Sequence, residues 1–365
     1  MEDLTSITNL EDEIESMVKI KIIGVGNGGG NAVEHMIHCK SQEISFICVN
    51  TNAEALASSS ADHKILLDKG ITCNLEEIHG IIADADMVII VAGMGGKIST
   101  AIAPIIAAAS KKKNILTIGV VTKPFSSEGT ERMNIALRGI EELCPLVESL
   151  IIISNDRLLT LVPETSSMSE LLKKSDETIF AAVQGMINPI IRIGLIACDF
   201  ADVRTVMCEG CMALMGQGAA SGENRAIKAA QKAVTSPLFE NVPLSHAKAI
   251  LVHITANENM RIDEFNNVVE FIGKVAHSDD NDPEIVFADS LDESWGDEMR
   301  IVIIATGIAM EGNTGLEISN DEKTTEYSSP HIRKIKFGPK EMAEFNRLMT
   351  DPNVTGPGTE EELNK

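Results

Sequence analysis

Residues 18–32 read VKIKIIGVGNGGGNA, and this stretch decides the fold. A β-branched apolar run of strand length ends among Gly24, Gly26, Gly28, Gly29 and Gly30, and a helical pattern follows. Glycines let a chain turn sharply and bring backbone N–H groups against an anion at a helix N-terminus. The same alternation continues outward. ISFICVN (44–50), MVIIVAG (87–93), NILTIGVVT (114–122) and ESLIIIS (148–154) read as strands, with helical patterns near 31–39, 74–83, 99–112 and 128–142. Runs that are apolar on both faces fit a parallel sheet covered by helices on both sides. Residues 17–167 are therefore predicted to form a doubly wound α/β domain.

A long helical stretch, 168–191, follows and ends around Pro189 and Gly194. AKAILVHITA (247–256), a helix over 262–275, PEIVF (283–287) and MRIVIIATG (299–307) then predict a smaller second α/β domain, 246–320, with a sheet of its own. The linking region 195–245 is expected to be loop and helix. An acidic start (1–16) and a polar tail (321–365) are expected to be flexible.

The 365 residues hold 31 Lys plus Arg against 54 Asp plus Glu, a formal charge of -23. Such a surface repels phosphate backbones and anionic lipid, so no nucleic-acid partner and no direct membrane insertion are expected. No apolar run approaches the roughly 18 residues of a membrane span, and the acidic start lacks a signal core. A cytoplasmic location is the expectation. There the seven cysteines should be reduced thiols. Cys208 and Cys211 form a C-x-x-C pair with Cys198 ten residues earlier, but a zinc site needs a further pair or a well-spaced His. No metal site is expected from them.

The glycine-rich turn admits three readings. Gly24-x-Gly26-x-x-Gly29 is formally the dinucleotide fingerprint, yet the next strand ends Val49-Asn50-Thr51-Asn52, with no acid for a ribose. The NAD reading weakens accordingly, leaving a structural turn or another phosphate or nucleotide site. A second glycine-rich turn, Gly93-Met94-Gly95-Gly96-Lys97-Ile98-Ser99-Thr100-Ala101, also opens a helix. Two such turns at the carboxyl ends of parallel strands face one crevice. The Walker pattern fails because Ile98 follows Lys97.

The motifs GVGNGGGNAVEHM, VNTNAEAL, VAGMGG, VVTKPFSSEG, SNDRLL, AVQGM, GLIACDFADVRTVM, ASGENRA and DEMRIVIIATGI occur in this order over 18–310. In them the chain resembles the FtsZ branch of the tubulin/FtsZ superfamily, filament-forming GTP-binding proteins of bacterial cell division. The resemblance implies a GTP/GDP site with Mg2+ accompanying GTP, head-to-tail homo-oligomers and a place at the division site. By position, Gly28, Gly29, Gly30 and Asn31 match the first phosphate loop, and Glu128 and Arg132 match ribose-side contacts. Asn155 matches a guanine contact. Asp199 and Asp202, in CDFADV within 195–245, match the acidic pair that the next subunit presents to the γ-phosphate. On the residues alone, Asp202 reads equally as a helix cap.

The departures from the family cluster at the nucleotide site. Where the family carries G-G-G-T-G-T-G, this chain has Gly95-Gly96-Lys97-Ile98-Ser99-Thr100-Ala101. A β-branched residue in place of a positive-φ glycine costs about 1–2 kcal/mol or forces another path. Lys97 either supplies charge to a phosphate or fills the site. The segment Asp68 to Asp86 is shorter than in the family, Asn52 replaces an Asp, and Ala197 replaces an Asn. Glu177 stands at the guanine-reading Asp, with Asp176 before it, and Leu172 replaces a stacking aromatic. Hydrolysis is therefore expected to be weak or lost. The alternative is a non-hydrolysing paralogue, a static scaffold or a regulator that co-assembles with an active FtsZ. The tail carries one basic patch, HIRKIKF (331–337), and Phe345, Leu348 and Met349 at helical spacing, but no match to the family's terminal adaptor peptide.

Overall fold

The computed structural model describes residues 18–37, 43–67, 75–163, 165–192, 194–196, 198–240, 242–278 and 281–308. The expectations for 1–16, the tail, Ala197 and the start of the Asp68–Asp86 segment lie outside these residues. The first half runs β1 (Ile20–Val25), α1 (Gly26–Met36), β2 (Ile44–Asn50), α2 (Ala53–Ser58), β3 (His63–Leu66), α3 (Leu75–Ile81), β4 (Met87–Gly93), α4 (Lys97–Lys112), β5 (Leu116–Lys123), α5 (Thr130–Leu143), β6 (Ser149–Ser154) and α6 (Asn155–Leu158). The second runs α7 (Met168–Ile191), α8 (Phe200–Met207), β7 (Met212–Ala220), α9 (Arg225–Val234), β8 (Ala249–Ala256), α10 (Ile262–Ala276), β9 (Glu284–Leu291) and β10 (Met299–Thr306).

Among the described residues, the ten strands form one sheet in the order β3-β2-β1-β4-β5-β6-β7-β10-β8-β9. Strands β1 to β6 are parallel, and β10 runs antiparallel to β7 and β8. The second unit thus does not have the separate sheet expected of it. The reason is β7, which pairs with β6 through Leu150↔Met212 and Ile151↔Ala213 and carries the sheet across.

Alternation along the strands divides the core. Ile22, Phe46, Ile89 and Ile118 face Val183 and Met186 of α7, whereas Ile23, Ile47, Ile90 and Val121 face Ile102 and Ile140 of α4 and α5. Helix α7 starts in a capping box, in which the Ser167 hydroxyl accepts the Glu170 N–H and Glu170 accepts the Ser167 N–H. It then runs 24 residues across the sheet, with Gly185 seated against Val302 of β10.

Close approach explains the glycines of the opening motif. A Cβ on Gly29 would lie 2.2 Å from the Val91 carbonyl oxygen, so the first turn of α1 rests directly on β4. Gly29→Ala is expected to cost about 2–3 kcal/mol, read as a lower urea midpoint, because neither backbone can retreat.

One cysteine pair departs from expectation. Cys144 and Cys211 are joined, with Cα atoms 5.7 Å apart. The Leu150 N–H donates to the Cys211 carbonyl, which draws the approach to β7 against the start of β6. Cys48, Cys198 and Cys208 are free, so the C-x-x-C pair itself is not bridged.

His253 of β8 is buried and shares a 3.0 Å hydrogen bond with Ser290 Oγ. Burial, with Arg192 nearby, pushes its pKa down to about 3. The folded state therefore disfavours the proton that the unfolded chain takes up near pH 6.5. Stability from this group is full above pH 6.5 and is lost as pH falls toward 3, at about 1.4 kcal/mol per pH unit. His253→Gln is expected to flatten that part of a urea-stability profile.

Candidate functional site

A cleft of about 630 Å³ opens at the carboxyl ends of β1, β4, β5 and β6 and is flanked by the first half of α7. This is where a doubly wound sheet offers a crevice. Its first wall is the turn from β1 to α1. Gly26 takes φ +72° there, and Gly26, Asn27, Gly28 and Asn31 line the cleft. Gly30 lines an adjoining 240 Å³ pocket that shares Gly26, Asn27 and Asn31. Gly29 lies against Val91 and lines neither. Asn50 Nδ2 donates to Asn27 Oδ1 at 2.8 Å, which ties the turn to the end of β2. Asn52 accepts the Glu54 and Ala55 N–H groups as the cap of α2.

The second wall is the turn from β4 to α4, with Gly93, Gly96, Lys97, Ile98 and Ser99 on the cleft. Gly95 takes φ +92° and donates its N–H to the Thr100 hydroxyl at 3.0 Å. Thr100 is buried, and this bond closes the turn internally. Ser99 donates to the Gly93 carbonyl. Lys97 is exposed at the start of α4 and, among the described residues, has no ion-pair partner.

The third wall belongs to the loop after β5, the start of α5 and the start of α6. Arg132 Nη1 lies 2.7 Å from Glu128 Oε2, and Glu128 Oε1 accepts the Phe125 N–H at 2.8 Å. Both side chains line the cleft, together with Asn155. Asn155 Oδ1 is buried and makes no hydrogen bond. An unmet buried acceptor costs about 1–3 kcal/mol, so this atom fits a ligand donor.

Helix α7 closes the cleft with Met168, Leu172, Ser175, Asp176 and Ile179. Here the structure redirects the sequence correspondence: Asp176 lines the cleft, whereas Glu177 does not and pairs with Lys174 at 3.1 Å. One residue rotates a helix by about 100°, and Asp176 shares the face of Leu172 because it lies four positions on. Burial raises the Asp176 carboxyl to about 6, against a smaller opposing pull from His35.

Asp199 and Asp202 lie outside the cleft. They cap α8 reciprocally: Asp199 Oδ1 accepts the Asp202 N–H at 2.9 Å, and Asp202 Oδ2 accepts the Asp199 N–H at 3.0 Å. Among the described residues, no group of three or more His, Cys, Asp or Glu forms a metal site, and no helix is long and apolar enough to cross a membrane. Sequence reasoning missed Asn27, Phe125 and Ser127 as wall residues. Asn27 sat between two glycines of the opening motif, which was the available signal.

Residues 71–163 match the tubulin/FtsZ family GTPase domain, and residues 211–309 match the C-terminal domain of the FtsZ family. The cell division protein FtsZ of Buchnera aphidicola subsp. Baizongia pistaciae is 41% identical over 88% of this chain and 86% of its own length. That of Pseudomonas aeruginosa is 40% identical over 82% and 79%. Among solved structures, an empty FtsZ dimer from M. jannaschii superposes with a TM-score of 0.76 at 33% identity, covering 82% of this chain and 90% of that one. CetZ2 from Haloferax volcanii, 18% identical at a TM-score of 0.66, shares the fold. With two glycine-rich turns facing one cleft and a long helix closing it, the chain belongs to the FtsZ family of cell-division proteins.

Proposed function

We propose that the cleft holds GTP or GDP, that copies of this chain stack head to tail across it at the division site, and that GTP turnover is slow. The carrying observation is the pairing, on one cleft, of the unsatisfied Asn155 Oδ1 with the Asp176 carboxyl. Guanine presents adjacent N1–H and 2-amino donors to such acceptors, and an ionised carboxylate takes them as strong charge-assisted bonds. Adenine has an acceptor at its N1 and no 2-amino group. Gly28 and Gly96 offer backbone at helix starts to the phosphates, and the free ammonium of Lys97 adds charge there. Mg2+ would be held by phosphate oxygens and water, as is usual for this ion, with no protein cage required.

Slow turnover is read from the second glycine-rich turn. The Gly95 N–H is already committed to Thr100, and Lys97, Ile98 and Ser99 take positions where the family has glycine or threonine. The acids Asp199 and Asp202 reach a phosphate only when a second copy brings them. Calorimetric titration tests the base reading. GTP is expected to bind at least about 100-fold tighter than ATP, and equal affinities would overturn it. Lys97→Gly is expected to weaken GTP binding about tenfold through the lost charge. An unchanged or rising affinity in that titration would place Lys97 off the phosphates.

A further inference from the structure

Asp289 of β9 is 1% exposed and lines neither pocket of the nucleotide cleft. Its Oδ1 accepts the Ile196 N–H at 2.7 Å and its Oδ2 accepts the Leu195 N–H at 3.0 Å. The approach of the backbone is equally close: a Cβ on Gly194 would lie 2.2 Å from the Asp289 carbonyl oxygen and 2.8 Å from Oδ1. Three positions along, Asp292 holds Arg192 Nη1 at 3.2 Å. The end of β9 therefore grips the connection between α7 and α8 at Arg192 and again at 194–196.

A carboxylate is a costly group to bury, and it is stable here because two backbone donors meet its two oxygens. The segment it holds carries an exposed Leu195, 67% accessible, and leads within three residues to Asp199. Holding 194–196 sets the point from which the chain leaves β9, three residues before the Asp199 cap of α8. Orientation of a reacting group is worth large rate factors, and an ångström of misplacement costs about 10²-fold.

We infer that Asp289 is a positioning residue for interfacial hydrolysis, holding 194–196 so that Asp199 and Asp202 meet the nucleotide of the neighbouring copy. This rests on the reading of those two acids as interfacial groups. The test is a double-variant cycle on the full chain, read by single-turnover GTP hydrolysis in sedimented filaments. Asp289→Asn, which puts an amide N–H₂ against one of the two backbone donors, is expected to slow hydrolysis about tenfold and to leave GTP affinity within about twofold. In the Asp199→Asn, Asp202→Asn background it is expected to slow nothing further. Gly194→Ala, which displaces the same segment from the other side, is expected to reproduce the effect.

Hydrogen exchange supplies the readout where turnover is too slow to divide. The Leu195 and Ile196 amides are expected to be protected in the parent chain and to exchange at least about tenfold faster in Asp289→Asn. If the two acids matter and Asp289→Asn hydrolyses at the parental rate, the inference fails alone. Should removal of both acids leave hydrolysis unchanged, the interfacial reading fails and this inference with it. Unprotected Leu195 and Ile196 amides in the parent chain would also overturn it.

Discussion

Asp176→Asn is expected to weaken guanine-nucleotide binding by about 100-fold, whereas Glu177→Gln changes it less than about twofold. The two acids are neighbours in sequence and opposite in environment. Asp176 lines the cleft beside Leu172 and Ile179, and Glu177 stands outside it against Lys174. An Asn at 176 keeps the size and one acceptor, but sets an amide N–H₂ where the base presents its own donors. Titration calorimetry with GDP separates the variants, and a reversed ranking would return the role to Glu177.

The same group gives binding a pH dependence. With its pKa pushed up to about 6 by burial, Asp176 is protonated in mildly acidic solution and loses its charge as an acceptor. GDP affinity is expected to be flat above pH 7 and to fall about tenfold per unit below 6. The stability contribution has the opposite sign. A raised carboxyl pKa favours the fold below the unfolded value near 3.8, and that gain is lost as pH rises through 6. Nucleotide binding and free-chain stability therefore pull Asp176 in opposite directions, as groups kept for a ligand often do.

The second large effect concerns Asp199 and Asp202. Replacing both with Asn is expected to slow single-turnover hydrolysis in filaments by about 10²-fold or more while α8 stays capped. Asn keeps an oxygen for each backbone N–H in the reciprocal cap and removes both charges. Replacing both with Ala removes charge and cap together and adds about 1 kcal/mol of destabilisation. Comparing the two variants sorts chemistry from capping. If Asn filaments hydrolyse at the parental rate and only the Ala form fails, the acids serve the helix alone.

The parallel half was legible because its strands are buried on both faces. Every residue of IKIIGV, and six of the seven in MVIIVAG, lie in the interior, and only Lys21, tied to Asp84, interrupts the apolar runs. Strand β3 carries little signal of its own, since HKIL buries only Ile65 at the sheet edge. Strand β7, MALMGQGAA, lacks β-branched residues for a reason that only its neighbour reveals. A Cβ on Gly216 would lie 2.2 Å from the Ala233 carbonyl and one on Gly218 2.1 Å from that of Ala229, so the alanine face of α9 lies flat on the strand. Missing β7 meant missing the link that makes one sheet of two.

At the site, glycine turns announced themselves through composition, and the identity of the acid on α7 did not. Motif correspondence fixes a helix to within a residue, and one residue is the difference between facing the cleft and facing Lys174. The face of Leu172 carried the information, because a partner four positions on is Asp176. For Asp199 and Asp202 the sequence left two alternatives open. The cap is present within one chain, and the proposed catalytic role requires a second.

The central claim is a filament whose assembly depends on the nucleotide in this cleft. Sedimentation with electron microscopy of the purified chain, in GTP, in GDP and without nucleotide, tests it most directly. Filaments that form with GTP, and persist because turnover is slow, are the predicted result. Filaments of equal mass in all three conditions would contradict it, since assembly would then owe nothing to the groups that line the cleft.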